Sequence, residues 1–438
     1  MSFRFVLGGI SVGLMIASNV NTAQAMALID TPDTHASVEG LAAYGIFNSR
    51  KNYDGTSGGS HWQEGFIKYG LKADTRLGDM GTAYGAFGLV SSGTWGDGDA
   101  GGFTNGSERT TKIEDASLGW RSADLFPVLG KDGVDISVGR QVYKAGRGFL
   151  INDDGPNLGK GPADGQLNRG GAYYLGARHA FDQTAVVRLG GDQGWHGSAA
   201  WLKSDNRAQA EPELAVGTLE YTQAAGTLGA TYIHGIDVED KFASAFQQRR
   251  DGMNIYSLRG EGNAGIENAS FAFEYAVENT QGDQETAWYT EAGYKFADAF
   301  WTPSLTARYT RYSQGWDPLL TGYSTGYGTW FQGEVAANYA GPFNSNTAIK
   351  HLALKVNPLE NLTLGALYFD FKTLGGRNQL NMDGRELDLY AEWVVSPHLI
   401  VTPLLGLYRP DHALGDGGSQ SNGNGTNVYS QLVVAVPF

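Results

Sequence analysis

The sequence predicts an all-β protein, a transmembrane antiparallel up-and-down β-barrel of about 18 strands. Three observations predict this fold. Strand-like segments with alternating apolar and polar residues follow one another along nearly the whole chain, the connections between them alternate in length, and the composition is rich in glycine and aromatic residues. No segment of useful length has helical periodicity. A barrel of roughly 16–18 strands encloses an aqueous lumen rather than a packed core.

The first 25 residues have the pattern of a secretory signal peptide. Arg4 is their only charge, residues 5–17 form an apolar run, and Ala23-Gln24-Ala25 is a small-x-small cleavage site. The apolar run is too short to span a membrane as a helix. Residues 26–438 are therefore expected to form the barrel, in the outer membrane of a Gram-negative cell. A closed barrel is the remaining way to satisfy every backbone polar group in lipid.

The composition excludes several classes of function. Glycine accounts for 63 of 438 residues, with 22 Tyr, 20 Phe and 10 Trp. This glycine share is roughly twice the usual value of about 7%. Because cysteine is absent, thiol metal sites and thiol nucleophiles are excluded. The formal net charge of -14 argues against a nucleic-acid partner.

The alternation of apolar and polar residues marks the strands. It is clearest in residues 66–77, 270–278, 304–310, 331–339 and 386–393. A soluble sandwich would also alternate, with its apolar row facing a second sheet. The number of such segments favours a barrel, whose apolar row faces lipid.

Residues 427–438 are predicted to form the closing strand. Their apolar row is Leu432, Val434, Val436 and Phe438, and the segment finishes on an aromatic residue. By itself this segment would also fit the last strand of a soluble sandwich, so the prediction depends on the rest of the chain.

The connections are predicted to alternate between short periplasmic turns and long extracellular loops. Short turns are expected at residues 77–81, 181–183, 223–226, 357–361 and 396–398. Long connections are expected at residues 48–62, 93–111, 144–170, 236–251, 313–328, 373–385 and 409–426. Whether two of them, 144–170 and 313–328, fold into the lumen is left open by the sequence.

Motifs of enzymes and cofactor sites are weak in this chain. Residues 9–13 fit a nucleophile-elbow pattern but lie in the signal peptide, and residues 260–265 fit a dinucleotide fingerprint without a following helix. The acid pairs Asp97/Asp99 and Asp153/Asp154 are either Ca²⁺ ligands or, by the simpler interpretation, solvated loop charges. We expect no catalytic residue, no metal and no cofactor, so the protein is not expected to be an enzyme.

Placing the apolar rows against lipid directs the polar rows into the lumen. The cations on these rows are Lys68, Lys72, Arg76, Arg178, Arg188, Arg259, Arg308 and Lys355. The acids on these rows are Asp74, Asp115, Glu220, Glu274, Glu291, Glu334, Asp388 and Glu392. Inward Arg and Lys side chains select anions at a narrow point of a channel. The alternative is that these charges pair with one another and brace the barrel wall.

Several stretches resemble the alginate-export family of outer-membrane porins. They are residues 138–147 (VGRQVYKAGR) with 152–155 (NDDG), 316–320 (WDPLL) with 328–334 (GTWFQGE), 351–364 (HLALKVNPLENLTL) and 386–393 (ELDLYAEW). The resemblance implies an 18-stranded monomeric barrel that passes a negatively charged uronate polysaccharide through an arginine-lined constriction. Arg140 and Arg147 match the stretches that carry this role.

Arg140 lies on the apolar parity of its strand. An arginine facing lipid at mid-bilayer costs about 2–4 kcal/mol. We therefore expect Arg140 to lie at a β-bulge or at the level of the lipid headgroups.

Two functions remain open at the level of sequence. The first is a passive outer-membrane channel for an anionic polysaccharide or other anionic solutes. The alternative is a nutrient-uptake porin for small organic anions or other small molecules. The expected partners are outer-membrane lipid and the solute, and the expected state is a monomer. A third possibility, a barrel enzyme, needs a nucleophile with an adjacent base, and the sequence gives no support for one.

Overall fold

The computed structural model describes residues 26–155, 170–280, 282–320, 332–341, 344–375 and 380–438. Antiparallel strands dominate these residues. The strands are β1 Met26–Asp30, β2 Thr34–Ser49, β3 Ser60–Arg76, β4 Thr82–Gly96, β5 Arg109–Arg121, β6 Val134–Gln141, β7 Phe181–Leu189, β8 Gly194–Lys203, β9 Glu213–Gln223, β10 Gly226–Asp237, β11 Asn254–Gly262, β12 Ala269–Asn279, β13 Gln284–Lys295, β14 Ser304–Tyr312, β15 Thr347–Leu359, β16 Leu362–Thr373, β17 Gly384–Ser396, β18 Leu399–Pro410 and β19 Asn427–Pro437.

The sheet closes on itself, which confirms the predicted fold class. Each strand from β2 to β19 pairs with its sequence neighbours, and β19 pairs with β2, for example Val434 with Tyr44. The closed barrel therefore has 18 strands within the described residues, and β1 is additional. β1 pairs with β2 just beyond the end of β19, with Met26 opposite Val38.

The two faces of the sheet differ as the alternation predicts. On β12, Phe271, Phe273 and Tyr275 are exposed on the outside, whereas Ala272 and Ala276 are buried on the inside. Successive side chains of a strand point to opposite faces, so this contrast is a direct consequence of the period of two. So large an exposed apolar surface belongs against hydrocarbon rather than water.

Most predicted turns are observed, and two assignments are wrong. The short turn at residues 77–81 is present and contains the 3₁₀ turn Gly78–Met80, whereas residues 181–183 begin β7 instead of forming a turn. Residues 331–339 were predicted as a strand, but the described part lies between β14 and β15, where Ala336–Ala340 forms one π-helical turn. The apolar residues Val335 and Tyr339 are four apart, a spacing that fits one face of a helix as well as a strand.

The remaining helical segments within the described residues are single 3₁₀ turns: Pro127–Leu129, Arg207–Gln209, Gln247–Arg250 and Leu414–Asp416. None of the helices in the described ranges is long and apolar enough to cross a bilayer. Residues 1–25, with the predicted signal peptide and the nucleophile-elbow pattern, lie outside the described residues.

The described parts of two long connections fold into the lumen. We call residues 142–180 the first lumen loop and residues 313–346 the second lumen loop. Their described parts touch each other, because Ile151 and Leu320 form a β-bridge and the Asn152 N–H donates to the Leu320 carbonyl at 3.0 Å. Ile151 and Leu320 are both fully buried. The lumen is therefore partly filled by loops rather than open across its whole width.

Candidate functional site: the charged lining of the lumen

Arg140 lies at a β-bulge near the long-connection end of β6. The register with β7 shifts between Gly139 and Gln141, and Gly139 has a φ of 115°, in the left-handed region that favours glycine. The Arg140 guanidinium binds the carboxylates of Asp182 and Asp205, the latter at 3.0 Å. Arg140 shares the apolar parity of its strand. The bulge redirects its side chain so that the guanidinium reaches two acidic partners.

Arg178 lies in the first lumen loop and not on a strand, contrary to the sequence-based assignment. The apolar residues Tyr173, Leu175 and Ala177 do alternate with it, but they are buried inside the barrel. Their apolar row therefore packs against the inner wall instead of facing lipid. The sequence pattern does not distinguish these two environments.

A chain of charges connects the first lumen loop to the wall. Lys68 on β3 lies 3.1 Å from Glu114 on β5, and Arg178 lies 4.0 Å from the other oxygen of Glu114. Arg178 also lies 3.0 Å from Asp205, the acid that it shares with Arg140. Because these groups are partly or fully buried and paired, they hold the loop in place.

A second charged cluster lies where the first lumen loop meets β11, β13 and β14. Arg147 is 3.7 Å from Glu261 and 3.2 Å from Glu291. Arg308 lies 3.5 Å from the other oxygen of Glu291, so this acid joins a loop arginine to a wall arginine.

Arg259 on β11 contacts the first lumen loop from the barrel wall. Its guanidinium donates to the carboxylate of Glu220 and to the hydroxyl of Thr231. A Cβ added at Gly146 would lie 2.5 Å from Nε of Arg259, so the loop backbone rests directly on the guanidinium. A side chain at this position would push the loop away from Arg259.

Lys144 is an exposed cation of the first lumen loop. Partial desolvation by the surrounding protein lowers the pKa of its ammonium group, and the positive charge of Arg147 acts in the same direction. The carboxylate of Asp153 opposes these effects. Lys144 was not selected from the sequence, because a loop residue has no parity that would assign it to the lumen.

One part of the lumen keeps its polar side chains accessible. We call this part the open wall, formed by inward residues of β5–β11 that are half-buried or exposed. Its members are Lys112, Arg121, Asp135, Arg188, His196, Ser198, Thr218, Glu220 and Glu261.

Arg188, like Lys112, is an open-wall cation without an ion pair among the described residues. Asp135 lies directly opposite it on β6, but that carboxylate accepts a hydrogen bond from Tyr84 at 2.5 Å and lies 3.6 Å from Arg121. Among the described residues, Arg188 has no ion pair within 4.0 Å. An inward, half-exposed arginine fork without an acidic partner is suited to bind a carboxylate.

Tyr143 of the first lumen loop lies close to Arg188. Its hydroxyl is 3.0 Å from the Ser198 hydroxyl on β8. Burial raises the pKa of Tyr143, and the charges of Arg188 and Arg259 partly offset that effect. Since both arginines act on Tyr143 electrostatically, the three side chains surround one region of the lumen.

The other predicted cations lie toward the short-turn end of the barrel. Lys72 on β3 forms an ion pair with Glu39 at 2.5 Å, and Arg76 donates to the Gly78 carbonyl at 3.3 Å. Lys355 on β15 is close enough to Glu392 to stabilise its charge. Their roles as pore-lining residues stay predictions, as do those of Arg140, Arg147 and the other five.

The opposite side of the lumen is filled. We call it the packed wall, the buried inward residues of β17–β19. Its members include Glu386, Asp388, Glu392, Ile400, Thr402, Leu404, Tyr408, Asn427, Tyr429, Gln431, Val433 and Ala435.

Glu386 anchors the second lumen loop to the packed wall. Its carboxylate accepts hydrogen bonds from the backbone N–H groups of Val335 and Ala336, at 2.7 and 2.6 Å. Glu334, which the sequence placed on a strand, lies beside these residues in the loop and accepts a hydrogen bond from the Tyr174 hydroxyl at 2.8 Å. This bond joins the first lumen loop to the second.

The acid pairs considered as Ca²⁺ ligands hold loops in the structure. Asp99 accepts hydrogen bonds from the backbone N–H groups of residues 101, 103 and 104, and Asp97 accepts one from the His61 N–H. Asp153 faces His179 at 3.1 Å, and Asp154 accepts a bond from Ser204. Within the described ranges, no group of three or more metal-ligating side chains is present.

A second bulge, on β5, explains why sequence alternation did not place Lys112 in the lumen. The register between β4 and β5 shifts where Asp115 and Ile113 pair with adjacent residues, so Glu114 is the extra residue. Lys112 therefore faces the lumen with Asp115, although the two are an odd number of residues apart. An unrecognised bulge reverses the parity of everything beyond it.

Together, these features define a transmembrane β-barrel whose lumen is narrowed by loops. Solved structures of similar shape include Acinetobacter baumannii OccAB2, with a TM-score of 0.58 and 11% identity over 92% of this chain and 98% of that chain. Pseudomonas aeruginosa OccK5 (OpdH) has a TM-score of 0.57 and 10% identity over 92% and 98% of the two chains. Pseudomonas aeruginosa OccD3 (OpdP) has a TM-score of 0.55 and 13% identity over 95% and 93%.

The chain has the fold of an outer-membrane porin. At these identities the likeness concerns the fold alone. No protein-family model matches the chain, and no curated protein matches it. The neighbours named here do not support the resemblance to the alginate-export family.

Proposed function

We propose that the protein is a monomeric uptake porin that lets small organic anions diffuse across the outer membrane along the open wall. The observation that carries this proposal is Arg188, an inward, half-exposed arginine with no ion pair among the described residues. A solute carboxylate would bind its guanidinium. Such contacts raise the local concentration of anions without holding them tightly.

The filling of the lumen supports small solutes over polymers. The two lumen loops meet at Ile151 and Leu320, and the second is tied to the packed wall by Glu386. The passage is therefore confined to one side of the barrel. A polysaccharide would need a wider and more continuous path, so the uptake porin fits the geometry better than the exporter.

Liposome swelling tests the proposal. The purified protein is reconstituted and exposed to small mono- and dicarboxylates, to neutral sugars of similar size and to a cationic amino acid. We expect the carboxylates to enter fastest. Equal rates for neutral and anionic solutes of one size would contradict the proposal. Block or passage by oligouronates, without passage of small carboxylates, would restore the exporter interpretation.

A matched pair of variants locates the effect. Arg188→Gln removes one unpaired lumen charge, and we expect it to slow carboxylate entry several-fold while neutral sugars enter as before. Arg109→Gln removes the same charge from the outer face, where Arg109 lies 4.2 Å from the ring centre of Trp95. This control should leave the swelling rates unchanged.

A further inference from the structure

A row of charged side chains crosses the outer face of the barrel from β14 to β18. Cross-strand pairing places Tyr309 opposite Lys350, Lys350 opposite Asp370, Asp370 opposite Arg385, and Arg385 opposite Arg409. All five alternate with buried inward residues, so they face outward. We call this row, without the tyrosine, the outer cation row.

The outer cation row carries more positive charge than its own acid can neutralise. Asp370 lies 3.8 Å from Lys350 and 3.6 Å from Arg385, so one carboxylate serves two cations. Arg409 is exposed and has no ion pair within 4.0 Å among the described residues. Like charges directly opposite in adjacent strands are destabilising. The pair Arg385 and Arg409 therefore favours an anion between them.

Neighbouring charges do not cancel this excess. Lys372 is the next outward residue after Asp370, toward the long connections. It forms an ion pair with Asp383, so this acid is not available to neutralise the outer cation row. Asp411 lies in the next connection, beyond Arg409. Arg311 adds a further outward cation at the level of Lys372, opposite Ala348. The region is thus cationic on a chain whose formal net charge is -14.

The depth of the row in the membrane is fixed by its neighbours. The next outward positions toward the short turns are apolar on each of β15–β18: Leu352 and Leu354, Tyr368 and Ala366, Leu387 and Leu389, Leu407 and Leu405. The long connections of such barrels are extracellular. The outer cation row therefore lies at the boundary between hydrocarbon and headgroups of the outer leaflet.

The opposite side of the barrel is different at the same end. There the outward residues include the aromatic Tyr232 and Tyr256, and the one outward lysine of β8, Lys203, pairs with Glu213 at 3.8 Å. Aromatic residues at this level are the ordinary girdle of an outer-membrane barrel. Arg109 of β5 is also an outward cation, but its guanidinium donates to the backbone carbonyls of Thr94 and Glu108 and lies over the ring of Trp95.

We propose that the outer cation row is a binding site for the phosphate groups of an outer-leaflet phosphorylated glycolipid. Arginine forks bind phosphate oxygens in a bidentate manner, and clustered basic residues at a membrane surface recognise anionic headgroups. The acyl chains of the same lipid would lie on the leucines below the row. This site is separate from the lumen and does not depend on the transported solute.

Native mass spectrometry of the mature protein in detergent tests the proposal. The probes are bisphosphorylated lipid A, dephosphorylated lipid A and inorganic phosphate alone. We expect adducts with the bisphosphorylated lipid and far weaker ones with the dephosphorylated lipid. Binding of inorganic phosphate alone that equals the lipid would overturn the lipid assignment. Equal binding of the two lipids would show that the phosphates are not recognised.

Variants assign the binding to the row. Lys350→Gln with Arg385→Gln and Arg409→Gln should weaken binding on the order of 100-fold, since each basic residue at an anionic surface contributes roughly a factor of five. Lys203→Gln, the matched outward lysine, should leave it unchanged. An equal loss in this control would overturn the proposal.

A variant that binds the lipid more tightly separates the loss of the binding site from misfolding of the protein. Asp370→Asn removes the only acid of the row and leaves its cations in place, so we expect tighter binding of the bisphosphorylated lipid. A misfolded variant could not produce this result. Weaker or unchanged binding by Asp370→Asn would contradict the proposal.

Discussion

The open wall and the packed wall belong to one barrel and follow one pattern, yet their charges do different things. Arg188 on the open wall is half-exposed and lacks an ion pair among the described residues, whereas Glu386 on the packed wall is buried and holds the second lumen loop. Arg308, inward by the same parity as Arg188, is buried against Glu291. Whether an inward charge guides solute or braces structure is thus decided by where the loops lie.

The largest effect is expected from releasing the second lumen loop. Glu386→Ala removes the acceptor of two backbone N–H groups, and bonds to a charged group contribute roughly 1.5–3 kcal/mol each. We expect the loop to leave the packed wall and single-channel conductance to rise several-fold. Glu392→Gln, a buried acid of the same strand without a bond to the loop among the described residues, is the control. Unchanged conductance in Glu386→Ala would show that the loop is held by other contacts.

Removing a cation from a buried ion pair should lower the free energy of unfolding and leave the selectivity for carboxylates nearly unchanged. Arg308→Gln leaves Glu291 with one partner fewer, and removing one member of a buried pair costs about 3–5 kcal/mol. We expect a clear loss in the free energy of unfolding, measured by denaturant titration in detergent. Carboxylate selectivity should change little. A large change in selectivity with little loss of stability would place Arg308 on the solute path.

The loop between β4 and β5 should respond to pH through Asp99. Burial raises the pKa of its carboxyl to about 6, although hydrogen bonds from Thr104 and nearby backbone N–H groups oppose the shift. The folded loop therefore holds a proton that the unfolded chain releases at lower pH, so its stability falls as pH rises from about 4 to about 6. The change is at most about 3 kcal/mol.

Hydrogen exchange of residues 97–108 measures this dependence. Asp99→Asn keeps an oxygen acceptor and removes the titrating group, so the pH dependence specific to this loop should disappear. Protection that increases with pH in the unmodified protein would contradict the raised pKa.

The smallest effect is expected for the ion pair between Lys72 and Glu39. Both side chains are partly exposed, at 43% and 29%, and water screens their attraction. Such pairs contribute about 0–1 kcal/mol. Lys72→Gln should therefore leave the free energy of unfolding nearly unchanged. A loss comparable to that of Arg308→Gln would mean that the ion pair of Lys72 stabilises the fold as strongly as that of Arg308.

The barrel could be predicted from the sequence because a strand has a single strict period. The segments at 66–77, 270–278, 304–310 and 386–393 all lie on strands, and the closing strand forms at the expected place. The interior loops could not be predicted, because their packing depends on a wall that exists only after closure. Residues 331–339 show the problem, since a spacing of four fits a strand and a helix.

The charged lining was accessible to sequence reasoning only where a strand is regular. The inward orientation of Arg188, Arg259 and Arg308 follows directly from the alternation of residues along their strands. Lys112 was missed because of the bulge at Glu114, and Tyr143 and Lys144 were missed because loop residues have no parity.

The most direct test of the account is the zero-current potential across a planar bilayer with a gradient of the potassium salt of a small carboxylic acid. The unmodified protein should give a potential of the sign that anion selectivity requires, and Arg188→Gln should move it toward zero. Arg109→Gln should behave like the unmodified protein. If Arg188→Gln keeps the full potential, anions do not pass along the open wall and the account is wrong.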